Sequence, residues 1–352
     1  MQAALLCLAA IAILWPSLDA GFIWDDIKQI SESPTIAGAE APIRYFSLNV
    51  VESWGSKGRG GEGVDTYRPL FFIALWSIHH LTGPDPFWFH LAVLLTHLGV
   101  CLLLWLIARR WLDSNLAAAL VFAVFAIHPV TAEAFLWASA ISESMAVAGL
   151  LGAILILDRW CRDDEMRWLA SAGAGLVMLI GLLSKEAVIT ALPVVSIYLW
   201  RVRGVNLKAL SGPWIAAAAF IALRIHALEG LQATGSGSGQ RLDAVRNLPV
   251  LVLDGLRSVF TLQPIGVRHL HWDYRHVTWT TSAIAAAVLA VFLILALRAR
   301  RGAPLVPTAL AITRCMLTPV ALGTPGPGGS GVGGGGGRAG GGGAVAGAGG
   351  GV

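Results

Sequence analysis

Two adjacent carboxylates, Asp25 and Asp26, follow the apolar run 2–18 where the chain leaves a hydrophobic environment. A carboxylate at such a boundary can act as a general base toward a hydroxyl or an amine, or can bind a divalent cation that bridges to a phosphate. The simpler interpretation is a solvated boundary behind Trp24, because tryptophan anchors helices at membrane interfaces. The residues alone leave both interpretations open.

Other ionisable residues with useful chemistry also lie beside apolar segments rather than within them. Arginine can hold a phosphate through two parallel hydrogen bonds and lysine as a point charge, whereas glutamate can act as a base or hold the partner of another carboxylate. Lipid-headgroup contact, or a helix end at Pro129, would explain the same residues without a function. Ionisable groups at the edge of hydrocarbon are costly, which makes them functional candidates. These candidates are Tyr67, Arg68, His128, Glu133, Glu143, Lys185 and Glu186.

No metal site is predicted. The stretch HLHWDYRH (269–276) is rich in histidine, but loop histidines beside an interfacial tryptophan are typical of a polar boundary. The cysteines form no CxxC or other short-spaced group, so neither a zinc site nor a disulfide framework is indicated. No long basic run with interleaved aromatic residues suggests nucleic acid. The four cysteines are Cys7, Cys101, Cys161 and Cys315.

The composition requires a membrane to cover these segments. Of 352 residues, 56% are hydrophobic and 13% charged, and the mean hydropathy is +0.69, a balance that no soluble domain of this size could hide in its core. Apolar segments recur at about the length that crosses hydrocarbon as a helix. We therefore predict an all-α polytopic membrane bundle of about eight or nine spans. The predicted spans are 2–18, 87–108, 112–130, 143–159, 167–184, 187–200, 212–228 and 279–297.

Basic residues predict the orientation of the bundle. They follow the second, fourth, sixth and eighth spans, which places those connections in the cytoplasm by the positive-inside rule. The long first connection, 19–86, then faces outward and carries an interfacial helix at 69–81. A second amphipathic helix is predicted at 241–262. We expect the first span to be retained, since it lacks a basic n-region and a clear cleavage site.

The end of the chain has a different composition. We predict a membrane domain over 1–320 and a glycine-rich disordered tail over 321–352. The abrupt change suggests a shift of reading frame in a GC-rich gene. An alternative frame that continues the hydrophobic pattern after about Arg314 would support that hypothesis, and its absence from the nucleotide sequence would reject it.

Several motifs occur in a familiar order. FIWDD, YRPL, GPDPFWFHL, FAVFAIHPVTAEAFLWASAISES, LLSKEAVITALP and LQPIGVRHLHWDY resemble the membrane part of the transmembrane and tetratricopeptide-repeat O-mannosyltransferases and their bacterial relatives. Those proteins are GT-C superfamily glycosyltransferases that use polyprenyl-phosphate sugars. The resemblance covers roughly residues 15–320. It departs at Ile141, where the pattern WxSxRxD/E has arginine, and in the absence of the repeats that commonly follow.

The resemblance implies an integral membrane enzyme that moves a sugar from a polyprenyl-phosphate donor to a protein or lipid acceptor on the non-cytoplasmic face. It implies a catalytic role for Asp25 or Asp26, with a slight preference for Asp26, and for the acidic positions Glu133 and Glu143. The reaction would be an inverting direct displacement that requires no cofactor, although a divalent cation is compatible with it. The implied location is a bacterial cytoplasmic membrane, with the site facing the periplasm among membrane lipids.

Two other classes of protein stay open. A transporter or lipid flippase would place paired ionisable residues near the middle of its spans, in discontinuous helices. A truncated, non-catalytic relative would bind lipid without transferring sugar, and Ile141 and the glycine-rich tail would support it.

Overall fold

The computed structural model describes residues 1–39, 42–47, 67–161, 166–228, 246–250, 252–253 and 277–298, apart from the side chains of 133 and 290–298. Every regular element in these ranges is helical, which confirms the predicted all-α fold. The α-helices are α1 (Gln2–Leu14), α2 (Pro34–Ala37), α3 (Pro69–Thr82), α4 (Pro86–Leu112), α5 (Asn115–Ile127), α6 (Glu133–Leu136), α7 (Ile141–Trp160), α8 (Arg167–Ser184), α9 (Leu192–Arg201), α10 (Ser211–Ala227) and α11 (Trp279–Arg298).

Within the described ranges, five helical segments are long and apolar enough to cross a membrane. The predicted spans at 112–130 and 187–200 are shorter than expected, because α5 stops before Pro129 and α9 begins only at Leu192, after a 3₁₀ segment. The predicted helix at 69–81 is present as α3. The five long segments are Gln2–Asp19, Pro86–Leu112, Ala138–Trp160, Arg167–Ser184 and Leu207–Ala227.

Glycine allows the central helices to approach closely. α8 packs against α7 on one side and against α10 on the other. A Cβ added at Gly149 of α7 would lie 2.6 Å from the Cα of Gly181 in α8, so the two backbones touch at this crossing. Small residues at helix crossings are characteristic of membrane bundles, where close packing replaces the hydrophobic driving force.

A buried carboxylate joins two helices and a turn at the end of the bundle where α4 and α7 finish. Asp158 is 1% exposed and accepts from Nε of Arg110 at 3.0 Å and from Nε of Arg203 at 2.8 Å. Arg203 also lies over the ring of Trp111, 5.3 Å from its centroid. These contacts fix the end of α7 against α4 and against the turn that follows α9.

Several predictions fall outside the residues that the structure describes. They concern the glycine-rich tail 321–352, the histidine-rich stretch 269–276 and Cys315. Of the amphipathic helix predicted at 241–262, residues 246–250 and 252–253 are described, and they are helical.

Candidate active site

A cavity of about 160 Å³ lies at the opposite end of the bundle, where α7 begins and α8 ends. Its wall comes from distant parts of the chain: the segment after α1, the start of α3, the middle of α4, the connection from α5 to α7, and the residue after α8. The polar lining residues are Asp25, Gln29, Arg68, His97, Thr131, Ser139, Ser142, Glu143, Ser144 and Lys185. The predicted outward-facing groups thus supply four of these positions: Asp25, Arg68, Glu143 and Lys185.

Asp26 is fully buried and holds the site together. Its Oδ1 accepts hydrogen bonds from the backbone N–H and the hydroxyl of Ser139, at 2.7 and 2.6 Å, and its Oδ2 accepts from Ile23 N at 3.3 Å. The carboxylate is therefore occupied by the protein. It fastens the segment after α1 to the turn that precedes α7.

Asp25 is one residue away but lines the cavity. The pKa of its carboxyl is raised above the ordinary value, first by desolvation within the concave site and second by the neighbouring charge of Asp26; Lys28 and Arg68 oppose that rise. The preceding Trp24 has φ of +53°, a left-handed conformation that is unusual for a bulky residue and clusters at functional sites. Asp25 thus has the environment of a general base.

Arg68 is anchored by a carboxylate that does not line the cavity. Its Nε and Nη2 each donate to Glu186 at 2.9 Å, in a bidentate pair. Burial alone would raise the pKa of Glu186, but the charge and hydrogen bonds of Arg68 outweigh burial and lower it to about 2. A guanidinium has five N–H groups, so this pair leaves further donors for a ligand in the cavity.

Lys185 and Glu143 both line the cavity and form an ion pair. Glu143 lies in the first turn of α7, where the helix dipole favours a negative charge. Lys185 directly follows the last residue of α8. The pair therefore brings a cation to the cavity from one helix end and its counter-charge from another.

Besides Asp26 and Glu186, the predicted residues Tyr67 and His128 and the noted Ile141 do not line the cavity. Tyr67 is fully buried, and its ring centroid lies 6.1 Å from that of Phe220. Ile141 is also buried, but it packs in a different hydrophobic cluster from Tyr67. His128 Nδ1 accepts from Val130 N at 3.1 Å and so caps the turn at the end of α5. Glu133 begins α6, and its side chain lies outside the description. The roles predicted for Tyr67, His128 and Glu133 stay predictions.

Sequence reasoning did not single out Ser139, Gln29 or His97. Ser139 lies in the motif stretch FLWASAISES, and Gln29 comes only four residues after Asp25. His97 is a polar residue inside the long apolar helix α4, and such residues are functional candidates. Each therefore left a signal in the sequence. In the described part of the chain, no three His, Cys, Asp or Glu residues form a cluster that could hold a metal ion.

The fold and the site thus define a helical membrane protein whose bundle has, at one end, a cavity lined by both acidic and basic side chains. Comparison with known proteins gives the particular likeness. The chain is 28% identical over 218 residues to Protein O-mannosyl-transferase Tmtc3 of Drosophila melanogaster, which covers 55% of this chain and 23% of that protein. It is 30% identical over 198 residues to Tmtc2 of the same organism, and 24% identical over 188 residues to human TMTC3.

These likenesses confirm the resemblance predicted from the motifs. For Tmtc2 and human TMTC3, the matched segments cover 54% and 53% of this chain and 21% and 20% of the relatives. The chain therefore spans about a fifth of the length of the curated relatives that it matches. No family model and no solved structure matches it.

Proposed function

We propose that this chain is the membrane part of a glycosyltransferase that moves a sugar from a polyprenyl-phosphate donor to a hydroxyl of a protein or lipid acceptor. The observation that carries the proposal is the cavity that holds Asp25, whose pKa is raised, together with the cations Arg68 and Lys185. The likeness to named protein O-mannosyl-transferases supports a protein acceptor and mannose as the first candidates to test.

The proposed reaction is a single displacement. The acceptor hydroxyl oxygen attacks the anomeric carbon of the sugar while Asp25 takes the hydroxyl proton. The new carbon–oxygen bond forms as the bond from the anomeric carbon to the phosphate oxygen breaks, and that oxygen keeps the bonding electron pair. The configuration at the anomeric carbon inverts, and no step passes through a metal ion or a covalent enzyme intermediate.

The charges of the cavity suit this displacement. Asp25 becomes neutral as it takes the proton, while the leaving polyprenyl phosphate gains one negative charge. Negative charge thus moves within the cavity from the base to the phosphate, where Arg68 and Lys185 stabilise it. Glu186 and Glu143 hold these two cations in place, and Asp26 holds the segment that carries the base. We therefore assign the base to Asp25 rather than to the slightly preferred Asp26, which we regard as a positioning residue.

The proposal also concerns the side of the membrane. Basic residues gather at the far end of the bundle from the cavity, which supports a cavity open to the non-cytoplasmic side and, in a bacterium, to the periplasm. A flippase would need polar groups along a path through the bundle, whereas the described charged side chains of α4, α7 and α8 lie near helix ends. The transferase is therefore the better supported class.

Replacing Asp25 tests the function. In membranes supplied with a radiolabelled polyprenyl-phosphate mannose and an acceptor peptide, Asp25→Asn should lower the transfer rate by about 10² to 10⁴, the usual contribution of a general base. Asp19→Asn, an exposed aspartate at the end of the same first span, is the matched control and should transfer normally. Undiminished transfer by Asp25→Asn rejects its catalytic role. Binding of polyprenyl phosphate without transfer by the unmodified chain would indicate a non-catalytic relative.

Cysteine labelling tests the sidedness. In a chain whose own cysteines are replaced by alanine, we would introduce Pro84→Cys or Asn115→Cys, two exposed positions at opposite ends of α4. A membrane-impermeant maleimide applied to intact cells should label position 84, and should label position 115 only after permeabilisation. The reverse pattern would contradict the proposed orientation.

A further inference from the structure

Two uncharged side chains face the cavity with hydrogen-bonding capacity that the protein does not use. Gln29 is 8% exposed and His97 is 1% exposed, yet both contribute to the cavity lining. The proposed displacement needs only the base and the two cations, so it does not explain why Gln29 and His97 line the cavity. The question is what these buried polar groups bind.

His97 presents one ring nitrogen to the cavity. Its Nε2 lies 3.2 Å from the carbonyl oxygen of Ala126, and since a carbonyl can only accept, Nε2 carries the proton in this bond. In the neutral ring Nδ1 is then an acceptor, and within the described residues Nδ1 has no hydrogen-bond partner, although it is not sealed from the cavity. The rings of Phe125 and Phe135, with centroids 5.6 and 5.2 Å away, hold the imidazole plane in place.

Gln29 presents an amide, which can both donate and accept. It forms no side-chain hydrogen bond with any other residue that the structure describes, and its amide is not sealed from the cavity. Gln29 lies in the π-helical segment Ile27–Ser31 just after Asp25, and both residues line the cavity. The amide is thus fixed relative to the base.

Such groups are costly when they stay unpaired. A buried polar group without a partner loses the free energy of its hydrogen bonds to water, so buried polar groups in folded proteins are nearly always paired. An unpaired acceptor and an unpaired amide in one cavity therefore indicate a ligand with hydroxyl groups, or water in its place. The apolar faces of Phe71 and Trp137 complete the wall, and this mixture is typical of small-molecule sites.

The size of the cavity narrows the ligand. A volume of about 160 Å³ holds several water molecules, since about 10 to 15 Å³ of such a cavity suffices for one. That space is of the order of one sugar ring and is far too small for a polyprenyl chain. The ionic groups Arg68 and Lys185 account for a phosphate, which leaves the uncharged groups for the ring.

We propose that Gln29 and His97 bind hydroxyl groups of the transferred sugar, and that they position its ring and determine which sugar is accepted. This inference rests on the proposed function and names the part of the donor that the cavity holds. Gln29 donates to or accepts from one hydroxyl, and a second hydroxyl donates to Nδ1 of His97. Both residues are positioning residues, because neither takes part in the bonds that break and form.

The test compares the affinity of the full chain in detergent for polyprenyl phosphate and for polyprenyl-phosphate mannose. The unmodified chain should bind the mannosylated lipid more tightly. Gln29→Leu and His97→Phe, which keep the approximate shape and remove the polar atoms, should each reduce that preference about five- to tenfold, the effect of one hydrogen bond. Their affinity for polyprenyl phosphate itself should stay unchanged. Gln2→Leu and His80→Phe, at exposed positions away from the cavity, are the matched controls.

A second readout is sugar choice. Gln29→Leu or His97→Phe should narrow the difference in transfer rate between a mannosyl and a glucosyl donor, which a merely structural change would not do. If His97→Phe or Gln29→Leu does not fold, His97→Asn and Gln29→Asn shorten the reach of the polar group and should show the same loss of preference.

The outcomes separate the two proposals. Equal affinity of the unmodified chain for both lipids, or a preference that survives in the variants, would overturn the sugar subsite, would mean that only water occupies it, and would leave the phosphate site intact. Failure of the unmodified chain to bind either lipid would overturn the proposed function and the subsite with it.

Discussion

Residues that are adjacent in the sequence have different environments in this site. One member of each of three neighbouring pairs lines the cavity: Asp25 beside Asp26, Arg68 beside Tyr67, and Lys185 beside Glu186. The other member is a buried anchor, an aromatic core residue or a counter-charge. Sequence could predict that all three pairs gather at one end, because hydropathy and basic residues fix the order of the spans. It could not predict which member faces inward, because that depends on side-chain direction within one turn.

The pH dependence of transfer tests the assignment of Asp25. A general base must be deprotonated, so activity should fall as the pH decreases through its pKa. Because desolvation and Asp26 raise that pKa, the acidic limb should lie above the ordinary aspartate value of about 3.9. Asp26→Asn removes the like charge and should move the limb to lower pH, since the amide oxygen can still accept from Ser139.

Initial rates of transfer between about pH 4 and 8 give this limb, with Asp19→Asn as the control that should leave it in place. A limb that stays fixed in Asp26→Asn, or moves to higher pH, would contradict the assignment. A lower rate at every pH with an unmoved limb would show only that Asp26 supports the structure.

At the scale of elements, helix crossings decide the packing. The apolar segments predicted α1, α4, α7, α8, α10 and α11 close to their observed positions, because about 20 apolar residues favour a membrane helix in any context. The predicted lengths of α5 and α9 are too great because hydropathy continues past Pro129, where α5 has already ended, and through the 3₁₀ segment Glu186–Ala191, after which α9 begins. Which glycines lie at crossings depends on the rotation of each helix about its axis, and hydropathy does not give that rotation.

Two alanine substitutions test the crossing of α7 and α8. Gly149→Ala should lower the free energy of unfolding by about 1 to 3 kcal/mol, since its Cβ would overlap the backbone of Gly181. Gly173→Ala, also within a helix but with no atom within 4 Å of the added Cβ, should be neutral or stabilising by up to about 1 kcal/mol. Thermal unfolding in one detergent compares them. Equal stability of the two variants would argue against the close crossing.

At the scale of the whole molecule, the two ends of the bundle carry different kinds of ionic contact. The cavity end holds ion pairs beside open space, whereas at the other end Asp158 is enclosed by Arg110 and Arg203. Asp158 comes fifteen positions after Glu143 in α7, a distance of about 22 Å along the helix. Lipid binding at the cavity end and the stability that Asp158 confers at the other end should therefore respond independently to mutation.

Asp158→Asn tests that independence. It replaces one acceptor oxygen by a donor that faces arginine, and it should lower the free energy of unfolding by about 1.5 to 3 kcal/mol, the range for hydrogen bonds to charged groups. The affinity for polyprenyl phosphate, measured well below the unfolding temperature, should not change. Asp113→Asn is the control, because Asp113 is exposed and asparagine tolerates its left-handed backbone, φ +49°. A loss of lipid affinity in Asp158→Asn alone would show that the ends are coupled.

The contacts that close the cavity can form only after distant parts of the chain have been synthesised. The partner of Asp26, Ser139, comes 113 residues later in the chain, and the partner of Arg68, Glu186, comes 118 residues later. At the usual rate of synthesis, about 5 to 20 residues per second, the partner of each residue is made roughly 6 to 24 s later. During that interval the first connection has no partner to hold it, so a nascent chain that stops before Lys185 contains Asp25 but neither of the two complete ion pairs. The cavity can therefore close only after the residues that follow α8 have been made, and a chain released before that point would contain membrane helices without the closed cavity.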